Sequence, residues 1–163
     1  MNSTQALYRS MKKGEEGRVA ALIADVFTEF VMPLYSPEGV QEFLKYANKE
    51  KIIERSRQNH FILVAQIGSH VMGAIEVREN RHISMLFVDG QFQRKGIGGN
   101  LIREASSICR KIYPNLDQIT VNSSPNAVKA YERLGFRKSG DEQEIKGISF
   151  MPMVLELSAG DGA

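Results

Sequence analysis

A single cysteine, Cys109, stands among the 163 residues. No disulfide can close within the chain, and no cysteine-based metal cluster can form. The histidines are also few: His60, His70 and His82 have no metal-ligand spacing, so no metal is expected. No apolar run is long enough to span a bilayer. Residues 1–7 lack the basic stretch followed by an apolar one that marks a secretory signal. Excess charge of one sign is missing too. Against 21 lysines and arginines stand 19 aspartates and glutamates, for a net charge of +2. That balance gives no reason to expect a nucleic-acid groove. Internal repeats and interdomain linkers are not visible. These absences predict a cytoplasmic protein with neither membrane nor nucleic-acid partners, of one domain long enough to bury a real core.

The apolar pattern supplies the elements. Residues 6–11 suit a first strand. Gly14-Glu15-Glu16 opens a helix with acids in its first turn, and Val19, Leu22, Ile23, Val26, Phe27 and Phe30 recur at helical spacing. Ser36 followed by Pro37 marks the start of a second helix. Residues 48–59 are charged and fit a short helix or a loop equally. Three strands follow, 61–66, 71–78 and 83–88, joined by turns at Gly68-Ser69-His70 and Glu79-Asn80-Arg81. Ile97, Leu101, Ala105, Ile108, Cys109 and Ile112 then repeat at helical period. On that face Cys109 is expected to be a packed thiol, not a nucleophile. A short strand, 119–122, precedes a helix from Pro125 to Leu134, with Ser124 as cap and Gly135 as stop. A final hairpin, 136–144 and 148–157, turns at Lys146-Gly147. Pro152 inside it predicts a bulge or a position whose N–H has no ladder partner. Residues 158–163 are small and polar and are expected to form a disordered tail beyond a single domain of residues 1–157.

Between the third central strand and the long helix lies Gln93-Arg94-Lys95-Gly96-Ile97-Gly98-Gly99-Asn100. A glycine-rich turn entering a helix makes an anion site, because unpaired N–H groups and the helix dipole point at the ligand. Arg94 and Lys95 add two cations. A phosphate or pyrophosphate is the natural ligand. No Lys-Ser or Lys-Thr closes the turn as a P-loop requires. The dinucleotide fingerprint lacks its third glycine, and Asp117 lies before the next strand, the wrong place for a ribose-binding acid.

Gln93-x-x-Gly96-x-Gly98 after Leu86-Phe87-Val88 resembles the coenzyme A turn of the GNAT acetyltransferase superfamily. Asn122, Ser124-Pro125-Asn126 and Tyr131-Glu132-Arg133-Leu134-Gly135-Phe136 resemble the family's second cofactor motif. The resemblance covers about residues 6–157. It implies an α+β fold, a mixed and mostly antiparallel sheet of about seven strands flanked by about four helices. It implies an acetyl-CoA-dependent N-acetyltransferase acting directly on an amine-bearing small molecule or peptide, without a covalent enzyme intermediate. A non-catalytic acetyl-CoA sensor of the same fold is the alternative, and a nicotinamide-cofactor protein a third. Homodimers are common in the family, although no residue here identifies an interface.

The resemblance also assigns roles. Backbone groups of Leu86, Phe87 and Val88 would hold the thioester arm, and an N–H of Phe87 or Val88 would steady the oxyanion. Gln93, Arg94, Lys95, Gly96, Ile97, Gly98 and Gly99 would hold the pyrophosphate, and Asn122 and Asn126 the pantetheine amides. Tyr131 is the expected general acid, since a phenol stays protonated at neutral pH. The general base is open. Glu76 is the first candidate, an acid on a strand face shared with Met72 and Ala74, with His82, Asp89 or a water chain as alternatives. In the family the acceptor is shaped by the first two helices with their connection, which here contain Phe30, Met32, Tyr35 and Tyr46, and by the last hairpin. Asp141, Glu142 and Glu144 of that hairpin would favour a cationic amine but read first as a solvated face. These residues do not identify the acceptor.

Overall fold

The computed structural model describes residues 5–158. In chain order its elements are β1 (Leu7–Ser10), α1 (Glu16–Phe30), α2 (Pro37–Tyr46), α3 (Lys49–Ser56), β2 (His60–Ile67), β3 (His70–Arg78), β4 (His82–Val88), α4 (Ile97–Ile112), β5 (Gln118–Ser123), α5 (Val128–Arg133), β6 (Arg137–Lys138), β7 (Gln143–Ile145) and β8 (Ile148–Glu156). The strands form one eight-stranded sheet in the order β1-β2-β3-β4-β5-β8-β6, with β7 also on β8. All pairs are antiparallel except β4 with β5. The tail expected beyond residue 157 lies, from residue 159 on, outside the described residues.

Alternation along the central strands decides the layers. Leu63, Ala65, Ile75 and Val77 face α4, where they pack with Ile97, Leu101, Ala105 and Cys109. Ile62, Val64 and Ala74 face the other way, onto Val19, Ile23 and Val26 of α1 and Ile52 of α3. Both faces of the sheet are therefore covered, as successive side chains of a strand point to opposite sides. Leu101 is fully buried, and cutting such a side chain to alanine costs about 2–5 kcal/mol. Cys109 is buried as expected, and burial pushes its thiol up to about 11.

One open choice is resolved and two local expectations need correction. Residues 49–56 are a helix, capped by Asn48, whose side-chain oxygen accepts from the Lys51 N–H at 2.9 Å. The expected helix 125–134 is a short 3-10 turn at 125–127 followed by α5, and Ser124 caps it through its backbone carbonyl alone. The strand expected at 136–144 is broken into β6 and β7. Pro152 explains the break. Its carbonyl accepts from the Ser139 N–H at 2.9 Å, so the N–H it lacks faces the same side, where residues 139–142 leave the ladder.

One contact ties the last hairpin to the second helix. The Lys146-Gly147 turn packs on the first turn of α2, and a methyl group on Gly39 would overlap the Gly147 carbonyl. Ser36 Oγ caps α2 by accepting from the Gly39 N–H at 3.1 Å and lies beside the same carbonyl. Two residues without side chains let two backbones meet there.

Candidate active site

The parallel pair sets the site. Only His82↔Thr120 and Ile83↔Val121 are in register, and beyond them β4 and β5 diverge. Residues 84–88 keep β3 on one side, with Ala74 opposite Phe87 and Gly73 opposite Val88, and have no strand on the other. A bulge at Ser84 marks the divergence, because Glu76 pairs with Met85 and Val77 with Ile83. The extra residue switches faces: Ile83 packs toward α4 and Met85 toward α1. Into the opening between the strands runs a cavity of about 910 Å³.

Its wall contains Leu86, Phe87 and Val88 of β4 and Gln93, Arg94, Gly96, Gly98 and Gly99 of the glycine turn. The turn leaves the start of α4 open toward the cavity. Gln93 Nε2 donates to the Val88 carbonyl at 2.9 Å and closes the loop. Arg94 and Gly96 have φ of 63° and 85°, so the chain turns left-handed twice before α4 begins. Asn100 is the first residue of α4 whose N–H finds a carbonyl, that of Gly96. The N–H groups of Ile97, Gly98 and Gly99 accordingly have no acceptor among the described residues. A methyl on Gly98 would project toward Val88 and Leu86, at 3.9 and 4.0 Å, into the space between turn and strand. Two of the expected turn residues stand off the wall. The Lys95 ammonium lies 5.5 Å over the Phe92 ring, and the Ile97 side chain is buried under α4. The backbone N–H of Ile97 still belongs to the helix start.

The β5 side of the opening carries the second motif. Asn122, Ser124, Asn126 and Tyr131 all line the cavity. Tyr131 is only 7% exposed, meets Phe136 edge-on at 5.1 Å, and its hydroxyl has no hydrogen bond among the described residues. Burial raises its pKa, so it remains a phenol throughout the neutral range.

The part of the wall that α1, α2 and their connection supply is largely apolar. Val26 and Phe30 of α1, Val31 and Tyr35 of the connection and Phe43 of α2 form it. Phe43 stacks on Phe27 at 4.1 Å and meets Phe87 edge-on at 5.7 Å. Of the residues named on the elements that shape the acceptor in the family, Phe30 and Tyr35 are in this wall. Met32, Tyr46, Asp141, Glu142 and Glu144 are not.

Glu76 is not the lone acid that its strand neighbours suggested. It is 2% exposed and outside the cavity wall. Its Oε1 accepts from Tyr46 Oη at 3.0 Å and Ser84 Oγ at 2.7 Å, and its Oε2 from Arg55 Nε at 2.9 Å. Arg55 lies 3.6 Å over the Tyr46 ring and donates from Nη1 to the Tyr46 carbonyl at 2.6 Å. Ser84 alone joins this group to the cavity. The other two candidates for the base are also outside the cavity wall. His82 Nδ1 is 2.7 Å from Thr120 Oγ1, and burial pushes its pKa down to about 4. The Asp89 carboxylate accepts from the Gln91 N–H at 2.9 Å.

Sequence reasoning missed Arg55 and Ser84. The Asn48 cap would have revealed the helix that carries Arg55. Ser84 had no signal, because a bulge depends on register between strands.

Among the described residues, no three metal-ligating side chains come together and no helix is long and apolar enough to cross a membrane. Comparison with known proteins agrees with the geometry. Residues 31–157 match the family described as Acetyltransferase (GNAT) domain. Over 154 residues the chain is 26% identical to the uncharacterized N-acetyltransferase YafP of Escherichia coli (strain K12), covering 92% of this chain and 93% of that one. A shorter match, 84 residues at 32% identity, is to N-alpha-acetyltransferase 30 of Homo sapiens; it covers 45% of this chain and 23% of that protein. Among solved structures, the PaiA N-acetyltransferase of Thermoplasma acidophilum in complex with coenzyme A superposes with a TM-score of 0.77 at 18% identity, covering 94% of this chain and 99% of that one.

Proposed function

The chain belongs to the GNAT acetyltransferase family, and from that premise we propose that it transfers an acetyl group from acetyl-CoA directly to an amine, with Tyr131 as the proton donor. The observation that carries this is the splay of β4 from β5, which sets the Gly96–Gly99 helix start and Tyr131 along one cavity. Acetyl-CoA supplies an acetyl group already activated as a thioester. The chain's own residues suit it. Three unpaired N–H groups, the Gly98 surface and the Arg94 guanidinium receive the pyrophosphate. Asn122 and Asn126 offer amide partners to the pantetheine arm. The open edge of residues 84–88 pairs with that arm as an added strand would, and an N–H of Phe87 or Val88 steadies the carbonyl oxygen as charge develops there.

The amine nitrogen bonds to the acetyl carbon, the carbon–sulfur bond breaks, the departing sulfur takes a proton from the Tyr131 phenol, and the nitrogen's surplus proton restores that phenol. Tyr131 is held neutral by burial. It donates a hydrogen bond to the departing sulfur and supplies its proton as the bond breaks. Glu76 works in this reading at one remove. It positions Ser84 in the bulge and ties α2 and α3 to the sheet through Tyr46 and Arg55.

The test is thiol release from acetyl-CoA with a panel of amines, for wild type and Tyr131→Phe. Loss of the proton donor is expected to lower kcat on the order of 10²-fold with acetyl-CoA affinity unchanged. Tight acetyl-CoA binding with no turnover of any amine by the wild type would indicate a sensor and contradict the enzyme.

A further inference from the structure

From the largely apolar part of the cavity wall we infer that the amine carries a ring-sized apolar group and enters as its uncharged free base. This rests on the acetyl-transfer reading above and narrows it. That part of the wall presents Phe30, Val31, Tyr35 and Phe43, beside Phe87 of β4. Among the described residues that line the whole cavity, none is an aspartate or glutamate, and its two charged side chains are Arg94 and Arg133. An ammonium group brought there would lose water and find no carboxylate in exchange. Aromatic faces return part of that loss, and two arginines in the same cavity oppose it. Burial without a counter-charge disfavours the protonated amine and favours the free base.

The free base also removes a chemical difficulty. An incoming R–NH₂ bonds to the acetyl carbon and then holds one surplus proton. The departing thiolate needs one proton. The sum is R–NH₂ plus acetyl thioester giving R–NH–acetyl plus free thiol, and no side chain must first strip an ammonium. That agrees with a cavity whose wall includes none of Glu76, His82 and Asp89.

Acids do lie nearby. Asp25, Glu29 and Asp89 line a separate pocket of about 400 Å³ that shares only Val26 and Phe30 with the main cavity. Phe30 stands between the two. A polycation would use those acids, whereas a compact apolar amine would not.

Three amines separate the cases: 2-phenylethylamine, ethylamine without the ring, and spermidine as the polycation. Each is assayed by thiol release with saturating acetyl-CoA, after acetyl-CoA itself has been shown to raise the unfolding temperature. The ring is expected to raise kcat/KM over ethylamine on the order of 10- to 100-fold, the amount that burial of one aromatic side chain provides. Spermidine should be no better than ethylamine. The rate with 2-phenylethylamine should rise with pH up to the amine's own pKa. An Asp25→Asn, Glu29→Gln double variant should keep that rate within about twofold, whereas loss of a charge pair that held the substrate would lower it by up to about fivefold.

A spermidine rate equal to or above that of 2-phenylethylamine would overturn the inference, as would loss of activity in the double variant. Equal rates with and without the ring, including no turnover of either, would overturn it too. All these outcomes leave acetyl-CoA binding intact. Failure of acetyl-CoA to stabilise the protein would instead remove the reading beneath it.

Discussion

Removing the charge of Glu76 should cost the protein stability before it costs chemistry. The Glu76 carboxylate and the Arg55 guanidinium are 2.9 Å apart, with side chains 2% and 12% exposed. Glu76→Gln leaves Arg55 without its counter-ion under α3. Breaking a buried pair from one side costs about 3–5 kcal/mol, because the remaining charge stays out of water. For a chain of this size each kcal/mol lowers Tm by about 2–4 °C, so a fall of roughly 6–20 °C is expected. Glu76→Gln, Arg55→Met should recover part of the loss, since no lone charge is left inside. It should not recover all of it, because the Tyr46 and Ser84 hydroxyls also donate to this carboxylate. Urea unfolding of the wild type, both single variants and the double variant gives the coupling as a cycle. The same proteins, assayed well below their Tm, should retain kcat within about tenfold, less than the 10²- to 10⁴-fold that a proton-transfer group supplies. Their pH profiles should keep the wild-type shape. A Glu76→Gln protein within about 1 kcal/mol of wild type would refute the reasoning, as that is only the worth of an exposed pair. If it also lost kcat 10²-fold and an arm of its pH profile, Glu76 would be the proton acceptor.

Two further perturbations follow from the geometry. Gly39→Ala should destabilise by about 1–3 kcal/mol, despite the better helix propensity of alanine, because its methyl overlaps the Gly147 carbonyl; a higher Tm for the variant would contradict the backbone contact. His82 is held near 4 by burial, below the ordinary value of about 6.5. Between those values the unfolded chain carries a proton that the folded chain refuses, so stability should fall as pH drops from about 6.5 to about 4. Urea midpoints across that range should show the slope in wild type and a shallower one in His82→Gln, and equal slopes would count against a buried neutral imidazole.

The parts of the fold that were legible in the sequence are those whose pattern is local. β2, β3 and β4 announce themselves by apolar runs between turns. The Glu79-Asn80 turn has two residues at φ 54°, as a tight hairpin requires. The Gly96–Gly99 turn was readable because a strand, glycines and a helical period occur in succession. Tyr131, Asn122 and Asn126 were found through a resemblance, and all three line the cavity. What stayed hidden depends on residues far apart in sequence. The partner of Glu76 is Arg55, 21 positions earlier, on a helix with a single fully buried apolar residue, Ile52. So weak a stripe does not distinguish helix from loop. Asp141, Glu142 and Glu144 lie on the last hairpin, where such a run of acids reads first as a solvated face. All three are exposed, as a solvated hairpin requires.

The central claim is that the turn at Arg94–Gly99 holds the pyrophosphate of acetyl-CoA. It is tested most directly by thermal unfolding of the whole chain with acetyl-CoA, coenzyme A or a nicotinamide dinucleotide in excess. A ligand that binds only the native state, at ~100 times its dissociation constant, adds about 2.7 kcal/mol. Both coenzyme A compounds should stabilise the protein to that extent, and the nicotinamide dinucleotide should leave it unchanged. No stabilisation by either coenzyme A compound would contradict the account, and with it the role of Tyr131.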